Sequence, residues 1–155
     1  MKILVSNQQR GSRVSAARLR QLTAWLAQRV GLRFSSLEVL LTDDAGIVTT
    51  NRAVFGRDYV TDVISLSYPP LPGESGGAGE LIINVALAGR EGARRAGGPE
   101  HELALYLAHG CDHLAGANDA TLRQRAAMRR RELRWLRAAT RAKLLRGLFR
   151  KLGTT

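Results

Sequence analysis

Every β-type run in this chain ends by residue 85, and everything after it reads as helix. Residues 1–7, 37–41, 60–66 and 80–85 are short and rich in branched aliphatic side chains, the signature of strands. An amphipathic helix fits between the first two. Ser12 or Ser15 can cap it, Gly31 stops it, and Val14, Ala17, Leu22, Trp25, Leu26 and Val30 are its expected buried positions. Thr42-Asp43-Asp44 then turns the chain into a brief helix over residues 45–55. Residues 68–79 carry three of the four prolines and several glycines, so the third and fourth strands are joined by a loop. Helices follow over residues 86–95, from Pro99 to Leu114, and from about Ala120, the last with Leu122, Ala126, Leu133 and Leu136 as its strongest apolar positions. This order predicts an α+β domain, an α/β-type mixed sheet of about four strands with helices packed on it. A chain of 155 residues fits one such domain, divided here into a body over 1–140 and a basic tail over 141–155.

Charge is distributed as unevenly as the strands. Residues 120–155 hold 12 Lys+Arg against one acid, Glu132, a net of +11, whereas residues 1–119 balance 12 basic against 12 acidic residues. The imbalance is thus an appendage, suited to a polyanion or to a solvated helix face. Of the 24 basic residues 21 are arginine, which contacts phosphate bidentately where lysine cannot. The single cysteine, Cys111, excludes a disulfide framework and any Cys-rich zinc ribbon, and packing is its expected role. No apolar run is long enough to span a membrane, and the N-terminal stretch is too short for a secretory signal, so the cytoplasm is the expected location.

The segment from His109 to Asp119 concentrates the chemistry. Histidines at i and i+4 lie one turn apart on a single helix face, so both imidazoles can reach one metal ion. Gly116 can end that helix in a left-handed conformation and return the chain, bringing Asp119 to the same point. An N-cap role is the competing explanation for Asp119, but Thr121 with Gln124 offers its own capping box one turn later. His109, His113 and Asp119 then form a two-histidine, one-carboxylate set with an open position, which a catalytic divalent ion needs to activate water. Metzincin proteases share this spacing, but zinc proteases place a glutamate base after the first histidine, and Gly110 cannot move a proton. Asp112 is expected to face solvent and His101 to lie at the surface near a helix start.

Beyond spacing, the His109 segment resembles the signature of the YbeY family, single-strand-specific endoribonucleases of bacterial ribosomal RNA maturation. Leu41-Thr42-Asp43-Asp44, then Asn51, then Thr61-Asp62-Val63-Ile64-Ser65 resembles the central motif of that family, and Gly79-Glu80-Leu81-Ile82-Ile83 its Gly-Asp-Ile strand. The three blocks occur in matching order across residues 37–137. The resemblance implies a mixed sheet with packed helices. It also implies cleavage of single-stranded RNA in ribosomal RNA processing, including maturation of the 16S 3′ end, and a part in ribosome quality control. One Zn²⁺ per chain, or another divalent metal, would sit on His109, His113 and Asp119, and the small ribosomal subunit and its associated proteins would be partners.

Two positions depart from the pattern. Asp119 stands where the family usually has a third histidine, and a carboxylate is a harder, less basic ligand. Phe55 stands where the family has an arginine with a substrate-binding and catalytic role. Arg57, which precedes the strand from Thr61, is the preferred replacement, with Arg52 the alternative. In this reading Arg57 and His109 are catalytic, and Arg57, Asn51, Thr61, Asp62 and Ser65 bind substrate, although Asn51, Thr61, Asp62 and Ser65 also suit turn and strand-start roles. Two other functions fit the same residues: a ribosome-assembly factor that binds RNA without cutting, and a metal-dependent hydrolase of another substrate. In the latter, Leu144, Leu145, Leu148 and Phe149 among basic residues would attract the tail to a membrane surface.

Overall fold

Which strands lie in the middle of the sheet follows from which are apolar on both faces. The computed structural model describes residues 1–150. Strand β1 (Lys2–Asn7) leads through α1 (Ala16–Val30) to β2 (Ser36–Thr42), and α2 (Asp44–Phe55) leads to β3 (Val63–Tyr68) and β4 (Ala78–Asn84). Helices α3 (Val85–Gly92), α4 (Gly98–Leu114) and α5 (Leu122–Arg141) complete the order. The sheet runs β1-β2-β4-β3, with β1, β2 and β4 parallel and β3 antiparallel to β4. Strands β2 and β4 carry most of the buried sheet positions, and the half-exposed β1 and β3 form the edges. The architecture is the mixed α+β domain expected from the order of elements.

Strand alternation divides the core into two layers. Leu37, Val39, Leu41, Leu81 and Ile83 meet Leu19, Leu22 and Leu26 of α1 and Leu103, Leu107 and Cys111 of α4 on one face. Ile64 and Ile82 meet Ile47 of α2 in a separate cluster, on the other face. Helix α4 is the structural centre, with ten of its seventeen residues buried. It approaches the sheet so closely that a Cβ at Gly110 would lie 2.7 Å from Leu81 Cδ2 and 3.2 Å from Val63 Cγ2. Any side chain at position 110 would therefore force Leu81 to shift.

Several expected boundaries and phases shift. Ser15 caps α1 and Gly31 ends it at φ 82°, as the sequence predicts, but the buried row is Leu19, Leu22, Thr23, Leu26 and Ala27. Ala17 is exposed, because two residues from Leu19 it sits on nearly the opposite side of the helix. Strand β3 begins at Val63 rather than 60. The Asp62 side chain takes the Val63 amide into a local turn at 2.7 Å, which delays the strand. In α5 the buried positions are Met128, Glu132, Leu136 and Ala139, while Leu122 is 79% exposed and Ala126 is also exposed. A glutamate in the inward row disguises the helix phase.

The basic C-terminal segment folds back as far as the structure describes it. Leu145 and Leu148 are buried in the main core, and Leu144 and Phe149 pack against it. Ser15 donates its amide to the Leu148 carbonyl at 2.9 Å and Arg150 to that of Arg13 at 2.7 Å, with a β-bridge between Val14 and Phe149. The four apolar residues expected to attract a membrane surface are thus taken up by the protein itself. Residues 151–155 of the expected tail lie outside the described residues. Among those described, no helix is long and apolar enough to cross a membrane.

Candidate metal centre and its cleft

Helix α4 opens on Gly98-Pro99 and leaves the buried layer at its C-terminal end, where His109 and His113 emerge about one quarter exposed. Gly116 then turns the chain at φ 99°, and Thr121 with Gln124 forms the expected capping box on α5. Asp119 is thereby left out of the cap, and its Oδ2 lies 3.4 Å from His113 Nε2. One ligand atom from each of His109, His113 and Asp119 falls within 4.8 Å of the others.

The outer nitrogens of the two rings make the case for a cation. His109 Nδ1 lies 2.5 Å from Glu132 Oε1, and His113 Nδ1 lies 3.1 Å from the Ala117 carbonyl oxygen. Both partners are acceptors, so each Nδ1 carries the proton and each Nε2 presents a lone pair. Those lone pairs face each other across 3.1 Å, with the rings perpendicular, and the Asp119 carboxylate adds negative charge beside them. Three electron-rich atoms converging on one point repel unless a proton or a cation lies between them. The donor set therefore fits a divalent metal, and a carboxylate buttressing the far side of a ligating imidazole is the usual means of fixing its tautomer and raising its basicity.

Glu132 is the residue of the candidate site that sequence reasoning missed. It is 3% exposed, and it is the sole acid among the last 36 residues. An isolated acid on a strongly basic helix is the available signal. Burial works against a charged His109, but the hydrogen bond and charge of Glu132, aided by Asp62 and Asp119, outweigh it and hold His109 above its ordinary value. Asp112, expected to face solvent, is instead 4% exposed and held by Arg131 of α5 at 3.0 Å. Burial, reinforced by Asp112, pushes the Cys111 thiol up to about 12, so it packs as a neutral side chain and offers no thiolate. His101 lies in the first turn of α4, partly buried and outside the metal group.

A cleft of about 430 Å³ leads to the two histidines. All the proposed substrate residues line it: Asn51, Arg57, Thr61, Asp62 and Ser65. Most of them are already committed to the scaffold. Asn51, 3% exposed, donates to the Tyr59 carbonyl at 3.1 Å and so shapes the loop after α2. Ser65 donates to the Gly110 carbonyl at 3.2 Å, tying β3 to the helix that carries the two histidines. Thr61 donates to Asp62 at 3.3 Å, and Asp62 accepts the Val63 amide. Arg57 alone of the five is exposed, its guanidinium 5.6 Å from the Phe55 ring centroid and 3.3 Å from Tyr59 Oη. Arg52, the alternative, pairs with Asp58 at 2.5 Å and does not line the cleft.

Residues 4–140 match the family model described as Endoribonuclease YbeY. The chain belongs to the YbeY family. Curated relatives agree. An Endoribonuclease YbeY of Anaeromyxobacter sp. (strain Fw109-5) is 30% identical over 138 residues, 89% of this chain and 72% of the relative. That of Geobacter metallireducens is 31% identical over 121 residues, 75% of this chain and 79% of the relative. The Rhodopirellula baltica protein is 38% identical over 103 residues, 63% of this chain, but the match spans only half of the relative's length. A Thermotoga maritima protein solved in solution shares the YbeY-type fold, with a TM-score of 0.57 at 20% identity over 91% of this chain and 93% of that one.

Proposed function

We propose that this YbeY-family chain is a metal-dependent endoribonuclease that cuts single-stranded RNA in the cytoplasm. Its place would be ribosomal RNA processing, including the 16S 3′ end, and ribosome quality control at the small subunit. The observation that carries this reading is the paired Nε2 atoms and the Asp119 carboxylate converging at a cleft that also holds Arg57. The names of the relatives, all Endoribonuclease YbeY, support RNA as the substrate.

His109, His113 and Asp119 would hold the ion; two imidazoles and one carboxylate suit Zn²⁺ and leave at least one position open. When bound, such an ion polarises a phosphodiester and makes water a nucleophile near neutral pH. Glu132 keeps the His109 proton on Nδ1 and the ring aimed into the cleft. Arg57, exposed on the loop, binds the non-bridging phosphate oxygens and stabilises the charge that grows on them. Phe55 in the position of the family arginine favours a second reading, an assembly factor that binds RNA without cutting it.

One comparison separates the two. Wild type and His113→Ala are assayed for bound metal and for cleavage of single-stranded RNA, with and without chelator. The expected result is metal in the wild type only, and a fall in cleavage on the order of 10³-fold for the variant. Equal cleavage by both proteins, with no metal in the wild type, would end the hydrolytic reading. Metal and RNA binding without cleavage would favour the assembly factor.

A further inference from the structure

Large apolar side chains left in water concentrate at one place in this protein. Nine are conspicuously exposed among the described residues, and four of these, Val54, Phe55, Tyr59 and Val60, fall within one seven-residue stretch. Phe55 and Tyr59, 47% and 52% exposed, both line the cleft that leads to His109 and His113. Neither belongs to a core cluster. Clustered exposed apolar surface marks a binding site far more often than do isolated residues.

The geometry of this stretch identifies the ligand class. Gly56 ends α2 at φ 64°, and the Asn51 side chain holds the returning loop through the Tyr59 carbonyl, so the two rings are set on a supported turn. The Arg57 guanidinium contacts both, lying over the Phe55 ring at 5.6 Å from its centroid and donating to Tyr59 Oη at 3.3 Å. Flat apolar faces beside a cation match a nucleotide, whose base offers a π-face and whose phosphate offers charge. An apolar peptide would use the rings but leave the guanidinium without an anion.

We propose that Phe55 and Tyr59 form a nucleobase-stacking subsite for a base flanking the phosphate held at the histidines. A base in a duplex already stacks on its neighbours and cannot use these rings, so the subsite selects for unpaired RNA. This rests on the reading of the cleft as an RNA site. Phe55 then replaces the family arginine with a different kind of substrate contact, and Arg57 supplies the charge.

The test uses the full-length, metal-loaded protein with Phe55→Ala, Tyr59→Ala and the ring-preserving Phe55→Trp. Binding is read from the fluorescence of a single-stranded RNA carrying 2-aminopurine, which is quenched on stacking, and cleavage from short RNAs with or without an abasic residue at each position. Each alanine variant should lose the quenching and raise KM by about 10-fold on intact RNA, with Phe55→Trp restoring both. On RNA abasic at the flanking position, wild type and alanine variants should have the same KM. Equal losses on intact and abasic RNA, or unchanged quenching and KM, would overturn the subsite. Quenching that depends on the rings in a wild type that cuts nothing would uphold the subsite and overturn the nuclease reading instead.

Discussion

The two sides of the cleft are built differently. On the α4–α5 side, ionisable groups are paired across two helices: His109 with Glu132 at 2.5 Å and Asp112 with Arg131 at 3.0 Å, both acids nearly sealed from water. On the α2–β3 side, Asn51, Thr61, Asp62 and Ser65 spend their hydrogen bonds on backbone or on one another, and Phe55 at the end of α2 projects with Arg57 and Tyr59 of the loop that follows. The first side holds ligand atoms at fixed separations, which a metal centre requires. The second exposes side chains that can adjust to a substrate. On the proposed reading, chemistry belongs to the helix pair and recognition to the opposite side.

Removing Glu132 is the strongest challenge to that division short of removing a ligand. Glu132→Ala should cost about 10–100-fold in metal affinity or activity, as loss of a buttressing carboxylate usually does, and Glu132→Gln should cost less because its amide oxygen can still accept from Nδ1. Competition with a chromogenic chelator measures it. The metal-free protein gives a second measure. His109 is held above its ordinary value of 6.5 in the folded state, so this stabilisation is complete below that pH and is lost as pH rises through the raised folded value. Thermal stability of the metal-free protein should therefore fall from pH 6 to pH 8, and Glu132→Gln should flatten that fall. An undiminished slope in the variant would transfer the effect to Asp62 and Asp119.

A matched pair of arginine substitutions sharpens the contrast. Arg131→Leu leaves the Asp112 carboxylate buried without its partner and should destabilise the fold by about 1–3 kcal/mol in denaturant titration. Arg57 stands on the exposed loop. Arg57→Leu should weaken RNA binding but change stability by at most about 0.5 kcal/mol, the usual range for a surface substitution. Equal stability losses would mean that the loop is as structural as the helix pair.

What was legible in the sequence follows the same line. The candidate ligand set occupies residues 109–119, so local rules sufficed to foresee that its side chains converge: helical spacing aligned the histidines, Gly116 turned the chain, and the Thr121 box released Asp119. The order of elements likewise determined the mixed sheet. Glu132, Asp112–Arg131 and Ser65–Gly110 depend on how α5 docks on α4 and α4 on β3, contacts that no local spacing encodes. The phase of α5 is hidden for the same reason. An inward row holding Met128, Glu132, Leu136 and Ala139 includes a charged residue that only the partner helix explains.

The outer face of α5 bears on the smallest of these effects. Arg123, Arg130, Arg134, Arg137 and Arg141 recur at spacings of seven, four, three and four, which places them on one stripe. All five are exposed, and none makes an ion pair among the described residues. Arg130 and Arg134 each lie two residues from Glu132, nearly opposite it on the helix, so the stripe points away from the buttressed histidine. An RNA short enough to fill only the cleft cannot also lie along it. Replacing the five with glutamine should leave cleavage of short RNA nearly intact. The salt dependence of binding to long RNA should shrink, by about 0.7 in log–log slope for each phosphate that the stripe no longer neutralises. If short and long RNA lose affinity alike, the cationic helix acts through the general field of the protein, and the separation between cleft and stripe fails.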